Sequence, residues 1–437
     1  MLFHYLDLSW RSFKRTPLIS FLIVIAIAIG IGVTMTSLSV YHMMSMVPLP
    51  EKSAKIVTPQ LNTRDESDQW WTSDNLPHQI TYQDAINLYN AELPAIKTPS
   101  YRTGYSVHMN DNSIKPFIES VRVVGKPFFD IFNVEFVEGQ PWTKAQEDAA
   151  EQVAVISRDV AEQLFGQQSA IGQQVYFDDF AFRVIGVIDN FEYHIKYYDL
   201  TNGHFNDHEN IFIPFSLTEP LQINNWGNTN GWEFQDIRTF EDKLNSELHW
   251  VQFWTQIDSE QEMTEYREFL NNYLIDQAQK GRFDRESTQF ATRNLSEWLD
   301  YNNVVTEDNR VLVALSFMFL TVCLANILGL LLGKFLKRVP EVGVRRALGA
   351  SKRDVFAQHL VEVSMLGFFG GIVGIGLAQL GLWGVRETYS YYSDIATMDF
   401  TMFIAAPVIA IMACILAGVM PAYKVCKTNP AICLKTQ

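Results

Sequence analysis

The chain has 437 residues, 48% of them hydrophobic and 19% charged, with a formal net charge of −15. That length fits two or three domains, and the acidic balance argues against nucleic acid as a partner, since phosphate binding needs a basic footprint. The charge is unevenly placed: residues 41–310 carry 20 Lys+Arg against 42 Asp+Glu, while the two ends together carry 14 against 7. An acidic middle between basic, apolar ends is not the pattern of one soluble globule.

Residues 1–17 form an amphipathic segment with Arg11, Lys14 and Arg15 near its end. Four charge-free runs follow at intervals: 18–40, 311–333, 363–385 and 402–423. A bilayer core of ~30 Å needs ~20 apolar residues, so each run is long enough to span. The first run is too long for the apolar part of a signal peptide and predicts a retained anchor.

Residues 41–310 then form one large inserted domain. Ile80–Leu93 predicts a helix capped by Thr81 with Asp84 three residues on. Gln152–Gly166 predicts a strand, then a helix capped by Ser157 and stopped by Gly166. Ile171–Asn190 predicts a hairpin turning at Asp178–Asp179, and Ile211–Ser216 another strand. Thr239–Asn303 reads as mostly helical, with Gly281 as a stop and a helical stalk near 290–310 running on into the second span. The domain class expected is α+β.

Within that domain, His194, His204 and His208 lie beside several acids, but Asn202–Gly203 marks a loop, so solvated histidines are expected rather than a metal site. Most of Trp70, Trp71, Trp226, Trp232, Trp250 and Trp254 are expected in the core. None of Cys323, Cys414, Cys426 and Cys433 lies in the middle region, so the domain has no disulfides to lean on. No phosphate loop, H-E-x-x-H or G-x-S-x-G motif occurs, and no catalytic residue or metal ligand is assigned.

The loop 334–362 between the second and third runs carries seven Lys/Arg, the loop 386–401 carries Arg386 against three acids, and the tail 424–437 is basic. The positive-inside rule then puts both termini in the cytoplasm and 41–310 outside. Gly329 and Gly333 in the second run, and Gly367, Gly370, Gly371 and Gly374 in the third, recur at one-turn spacing that allows close helix packing. The resulting fold class is a multi-pass α-helical membrane protein with a large α+β extracytoplasmic domain between spans one and two.

Three stretches carry a resemblance. "EVGVRRALGASKRDVF" (Glu341–Phe356), "PAYKVCKTNPAICLK" with Pro421, Ala422, Pro430 and Leu434, and "VAVISRDVAEQLFGQQSAIGQQVYFDDFAFRVIGV" resemble FtsX-like/MacB-type ABC transporter permeases. Cys426 departs from the small residues usual in the second motif. The resemblance implies a non-catalytic subunit that binds no cofactor, with ATP and Mg on an ABC ATPase partner. Only 17 residues precede Leu18, so that ATPase is expected on a separate chain. It further implies a second permease copy, identical or not, membrane lipid around the spans, and a bacterial inner-membrane location. The work implied is mechanotransmission to the periplasmic domain, for efflux of peptides, antibiotics or similar compounds through a periplasmic adaptor and outer-membrane channel. Regulation of a cell-wall hydrolase, or lipoprotein release, is the alternative.

The residues expected to meet the ATPase are Glu341, Val344, Arg345, Arg346, Leu348, Gly349, Ser351, Lys352 and Arg353. Pro340 suits a first helical turn, Glu341 precedes Arg345 by four residues, and Gly349 ends the helix. Ser351 with Asp354 forms a capping box for the next helix. Arg345 and Arg346 are expected to project charge toward the partner.

Overall fold

The computed structural model describes residues 2–70, 72–110, 114–189, 191, 195–204, 208–388 and 396–427. Trp71, His194, Asp394, Pro430, Cys433 and Leu434, all used above, lie outside the described residues. The chain divides into two units, one of residues 1–46 with 305–437 and one of residues 47–304.

The chain opens with α1 (Leu2–Arg15) and α2 (Pro17–Ser45). The inserted unit then runs β1 (Ile56–Leu61), β2 (Ile80–Thr81), α3 (Tyr82–Asn90), β3 (Ile96–His108), β4 (Phe117–Val124), α4 (Phe128–Ile131), β5 (Phe136–Gly139) and α5 (Lys144–Asp148). It continues with β6 (Val153–Ser157), α6 (Arg158–Phe165), β7 (Gln174–Phe177), β8 (Phe180–Ile188), β9 (Ile211–Pro214), α7 (Phe240–Leu244), β10 (His249–Gln256), α8 (Glu260–Gln279), β11 (Phe290–Asn294) and α9 (Leu295–Tyr301). The chain then returns through α10 (Glu307–Leu336), α11 (Val339–Ala347), α12 (Lys352–Thr388) and α13 (Phe400–Lys427).

The helices α2, α10, α12 and α13 are long and apolar enough to cross a membrane. They share one packed apolar cluster that includes Ile27, Ile31, Ile327, Leu366, Ala410 and Cys414.

In the inserted unit the strands form one mixed sheet in the order β11-β1-β10-β3-β4-β9-β6-β8-β5, with β2 and β7 off the main path. The sheet is buried on both faces. Along β6, Ala154 and Ile156 join one core while Val153 and Val155 join the other, as the two-residue period of a strand requires. The local signals expected from sequence match these elements. Thr81 Oγ1 accepts from the Asp84 N–H at 3.1 Å, Ser157 caps α6, and Gly166 follows it with φ +60°. The hairpin of β7 and β8 turns at Asp178, whose φ is +48°.

Two expectations are corrected. Residues 239–303 are not mostly helical, because His249–Gln256 is a strand flanked by β1 and β3. Its run of Trp, Val, Phe and Thr side chains fits a pleated surface buried on both sides, and burial there overrides the helical signals around it. The stalk is also not one helix. Phe290–Asn294 pairs with β1 as an edge strand, and Asn294 then caps α9 in a box with Glu297. Asn303, at φ +50°, breaks the backbone before Thr306 starts α10 with a fresh cap.

Trp70, Trp250 and Trp254 are buried, whereas Trp226 is exposed and lies on Gly104, where a Cβ would meet its ring at 2.1 Å. His208 Nδ1 lies 2.9 Å from the Tyr198 hydroxyl, and no metal-binding cluster occurs among the described residues.

Candidate coupling site

The motif Glu341–Phe356 folds into a tight corner between two helices. Pro340 lies in the first turn of α11, where its missing N–H is no loss. The helix ends at Ala347, and the chain turns away at Gly349, whose φ of +108° is a conformation that suits glycine. Ser351 Oγ then accepts from the Asp354 N–H at 3.1 Å, and the Asp354 carboxylate accepts from the Ser351 N–H at 3.3 Å and from its hydroxyl at 2.6 Å. This reciprocal capping starts α12.

The two neighbouring arginines are engaged within the chain. Arg345 pairs with Glu341 at 2.7 Å and reaches Gln358 of α12 at 3.1 Å. Arg346 donates to the main-chain carbonyl of Cys426, at the end of α13, at 3.2 Å. Glu341 also lies 3.6 Å from Arg15. The buried Val342 and Gly343 complete the inner face of α11. What projects outward is apolar: Val344 is 47% exposed and Leu348 84%, one turn apart on the outer face. Ser351, Lys352 and Arg353 are exposed just beyond. The corner therefore presents an apolar knob with a basic flank, while its arginines hold it onto α12 and α13.

The glycines sort by helix. In α12, a Cβ on Gly367 or Gly371 would come within 2.9 and 2.8 Å of the α13 backbone at Ile411 and Pro407. On Gly370 or Gly374 it would meet Ile27 and Ile31 of α2 at 2.4 and 2.8 Å. The two pairs serve two neighbours, so α12 packs closely on both α13 and α2. A Cβ on Gly329 or Gly333 of α10 would meet nothing within 4 Å among the described residues, and both glycines are exposed. Sequence spacing alone does not separate these cases, because spacing does not say which face a neighbour takes.

A second group is absent from the site expected from sequence. Lys334 and Glu362 are buried in an ion pair of 2.8 Å, and Arg338 reaches the same carboxylate at 3.2 Å. Both lie in 334–362, the stretch expected as a cytoplasmic coupling loop and helix, where Lys334 counts only as an inside-facing charge. The structure divides 334–362 among the end of α10, all of α11 and the start of α12. The signal available is the spacing of Glu362 directly before an apolar run, which by itself looks like a helix edge.

Four spanning-length helices, an α/β unit inserted after the first, and a capped helical corner between the second and third define a class of multi-pass permease-type membrane protein. The model of the MacB-like periplasmic core domain matches residues 20–268, more than half of the chain, and that of the FtsX-like permease C-terminal domain matches residues 313–430. The chain belongs to the MacB/FtsX-type ABC permease family. Among curated relatives it is 28% identical over 308 residues to a pyoverdine export ATP-binding/permease protein, PvdT, of Pseudomonas syringae pv. syringae, covering 70% of this chain and 41% of that one. It is 24% identical over 321 residues to the macrolide export ATP-binding/permease protein MacB of Chromobacterium violaceum, covering 71% and 42%. The chain thus spans about two fifths of the length of these relatives. Among solved structures it resembles the periplasmic region of MacB from Actinobacillus actinomycetemcomitans, at 15% identity and TM-score 0.35, over 56% of this chain and 90% of that one. It also resembles the extracellular domain of YknZ, a noncanonic ABC-type transporter from Gram-positive bacteria, at 13% identity and TM-score 0.34, over 55% and 100%.

Proposed function

We propose that this chain is the permease subunit of an ABC export system and transmits the work of an ATP-hydrolysing partner to its inserted domain. The observation that carries the reading is the exposed face of the α11–α12 corner. An 84%-exposed Leu348 beside Lys352 and Arg353 fits an apolar socket with an acidic rim. The arginines behind it make the corner a firm extension of α12 and α13.

The basic residues near the span ends orient the corner and both termini toward the cytoplasm and the inserted domain toward the periplasm. The ATPase and its Mg-ATP are supplied from outside these 437 residues, in which no phosphate loop occurs. The names of the relatives support export of a pyoverdine-like or macrolide-like compound, with a periplasmic adaptor and outer-membrane channel completing the route. The open Gly329–Gly333 face of α10 supports pairing with a second permease copy.

The test is affinity purification of the tagged chain from its native membrane, followed by an ATP-hydrolysis assay. A co-purifying ATPase that is lost with Leu348→Glu is the expected result. Retention of the same ATPase by that variant removes the role assigned to the corner.

A further inference from the structure

Glu362 lies in α12, and its side chain is 1% exposed. Its Oε1 is 2.8 Å from Lys334 Nζ of α10 and accepts a hydrogen bond from Ser12 Oγ of α1. Its Oε2 is 3.2 Å from Arg338 Nη1. Lys334 in turn donates to Ser20 Oγ of α2 at 3.0 Å. One carboxylate and its partner lysine therefore join α1, α2, α10 and α12. Arg338 adds a fifth piece, because it is the residue from which α11 begins.

The two cations that share Glu362 are unlike. Lys334 is fully buried on a spanning helix, so separating it from the carboxylate would leave a charge stranded without water. Arg338 is 14% exposed and sits at the non-helical corner between α10 and α11, so it can exchange the carboxylate for water. The joint between α11 and α12 is polar in the same way. Arg338, Arg345, Gln358 and His359 line a narrow crevice there, alongside Val342 and Val355. Joints made of hydrogen bonds can shift by exchanging partners with water, whereas interlocked side chains must repack. On the other side, the glycine contacts of α12 with α2 and α13 leave no slack.

We propose that Glu362 is the pivot of the coupling element. The Lys334–Glu362 pair persists as its axle, and the Arg338–Glu362 contact is the one that breaks and remakes as α11 is driven. Glu362 and Arg338 are thus positioning residues that decide how displacement of α11 reaches span three. This deepens the proposed function and rests on its reading of the corner as the ATPase contact.

The experiment uses the full chain purified with its ATPase from the native membrane, reading membrane abundance, unfolding temperature and ATP hydrolysis. Arg338→Gln should keep abundance and unfolding temperature while hydrolysis by the complex changes about fivefold or more. Glu362→Lys and Lys334→Glu should each lower abundance, and their combination should restore it, because the reversed pair is again an axle. That double variant should still hydrolyse ATP abnormally, since the lysine it places in α12 repels Arg338. Adding Arg338→Glu to it should bring hydrolysis back toward the wild-type rate.

Unchanged hydrolysis in Arg338→Gln overturns the moving contact. Failure of the reversed pair to restore abundance overturns the axle. A double variant that already hydrolyses normally, or a triple variant that gains nothing over it, overturns the link between them. A wild-type preparation with no ATP-hydrolysing partner overturns the coupling reading and the pivot together, and is told apart from the rest because it precedes any substitution.

Discussion

The Arg346 guanidinium donates to the carbonyl of Cys426 across 3.2 Å, so the helix after span two is tied to the last turns of span four. The contact turns a basic residue that sequence reading points outward into a brace. It also leaves Leu348 as the most exposed apolar side chain on the corner, at 84%.

The brace and the knob should respond differently to substitution. Leu348→Glu is expected to weaken ATPase retention by ~2 kcal/mol or more, as loss of a buried interface anchor does. The unfolding temperature of the chain should not move. Arg346→Ala should lower unfolding temperature modestly and ATPase retention less than Leu348→Glu does. The reverse ranking in a pull-down would assign the contact to the arginine.

The glycines offer a paired test. Gly371→Leu should destabilise the chain by ~1–3 kcal/mol, because the added side chain meets the Pro407 backbone and α12 has no room to shift. Gly329→Leu has open space within the chain and should leave its unfolding temperature unchanged. If α10 carries the contact with a second copy, Gly329→Leu should reduce cross-linking between copies in membranes. Equal destabilisation by both substitutions would contradict this packing.

Acid should act on the inserted unit in two stages. Burial, with Arg64 and Arg282 nearby, lowers the His249 imidazole from 6.5 to about 4 despite Asp84. The folded state thus favours neutral His249, and stability present above pH 6.5 is lost as pH falls toward 4. Burial pushes the Glu209 carboxyl up, but Lys196 and Arg122 at 2.6 and 3.2 Å outweigh it and hold it at about 2. Stability from that carboxylate is present above 4.5 and is lost as pH falls from there to 2. Denaturant unfolding followed by tryptophan fluorescence from about pH 7 to about pH 2 should show both declines. His249→Phe should remove the first and leave the second.

Orientation has a direct check. Ser351→Cys should react with a membrane-impermeant maleimide only after the inner face is opened, and Asp236→Cys in intact spheroplasts. Cys323, Cys414 and Cys426 are buried and should add little background, and the tail cysteine is removed beforehand as Cys433→Ser. The opposite labelling pattern would invert the topology.

The amino-acid sequence by itself determined the four spans, the inserted domain and the capped corner. Those features are local: an apolar run of bilayer length, Ser351 three residues before Asp354, a glycine where φ turns positive. It also carried the family resemblance that the domain models bear out. The tertiary structure alone decided what each residue faces. His249–Gln256 became a strand because partners on both sides and cores on both faces outweighed helical signals from its neighbours. Of two equally spaced glycine sets, only the one in α12 met other helices. Lys334 and Glu362, 28 positions apart and each ordinary in its own stretch, became one buried pair only when α10 and α12 came together. Spacing along a chain fixes periodicity, but burial and charge pairing depend on neighbours that the fold brings from elsewhere.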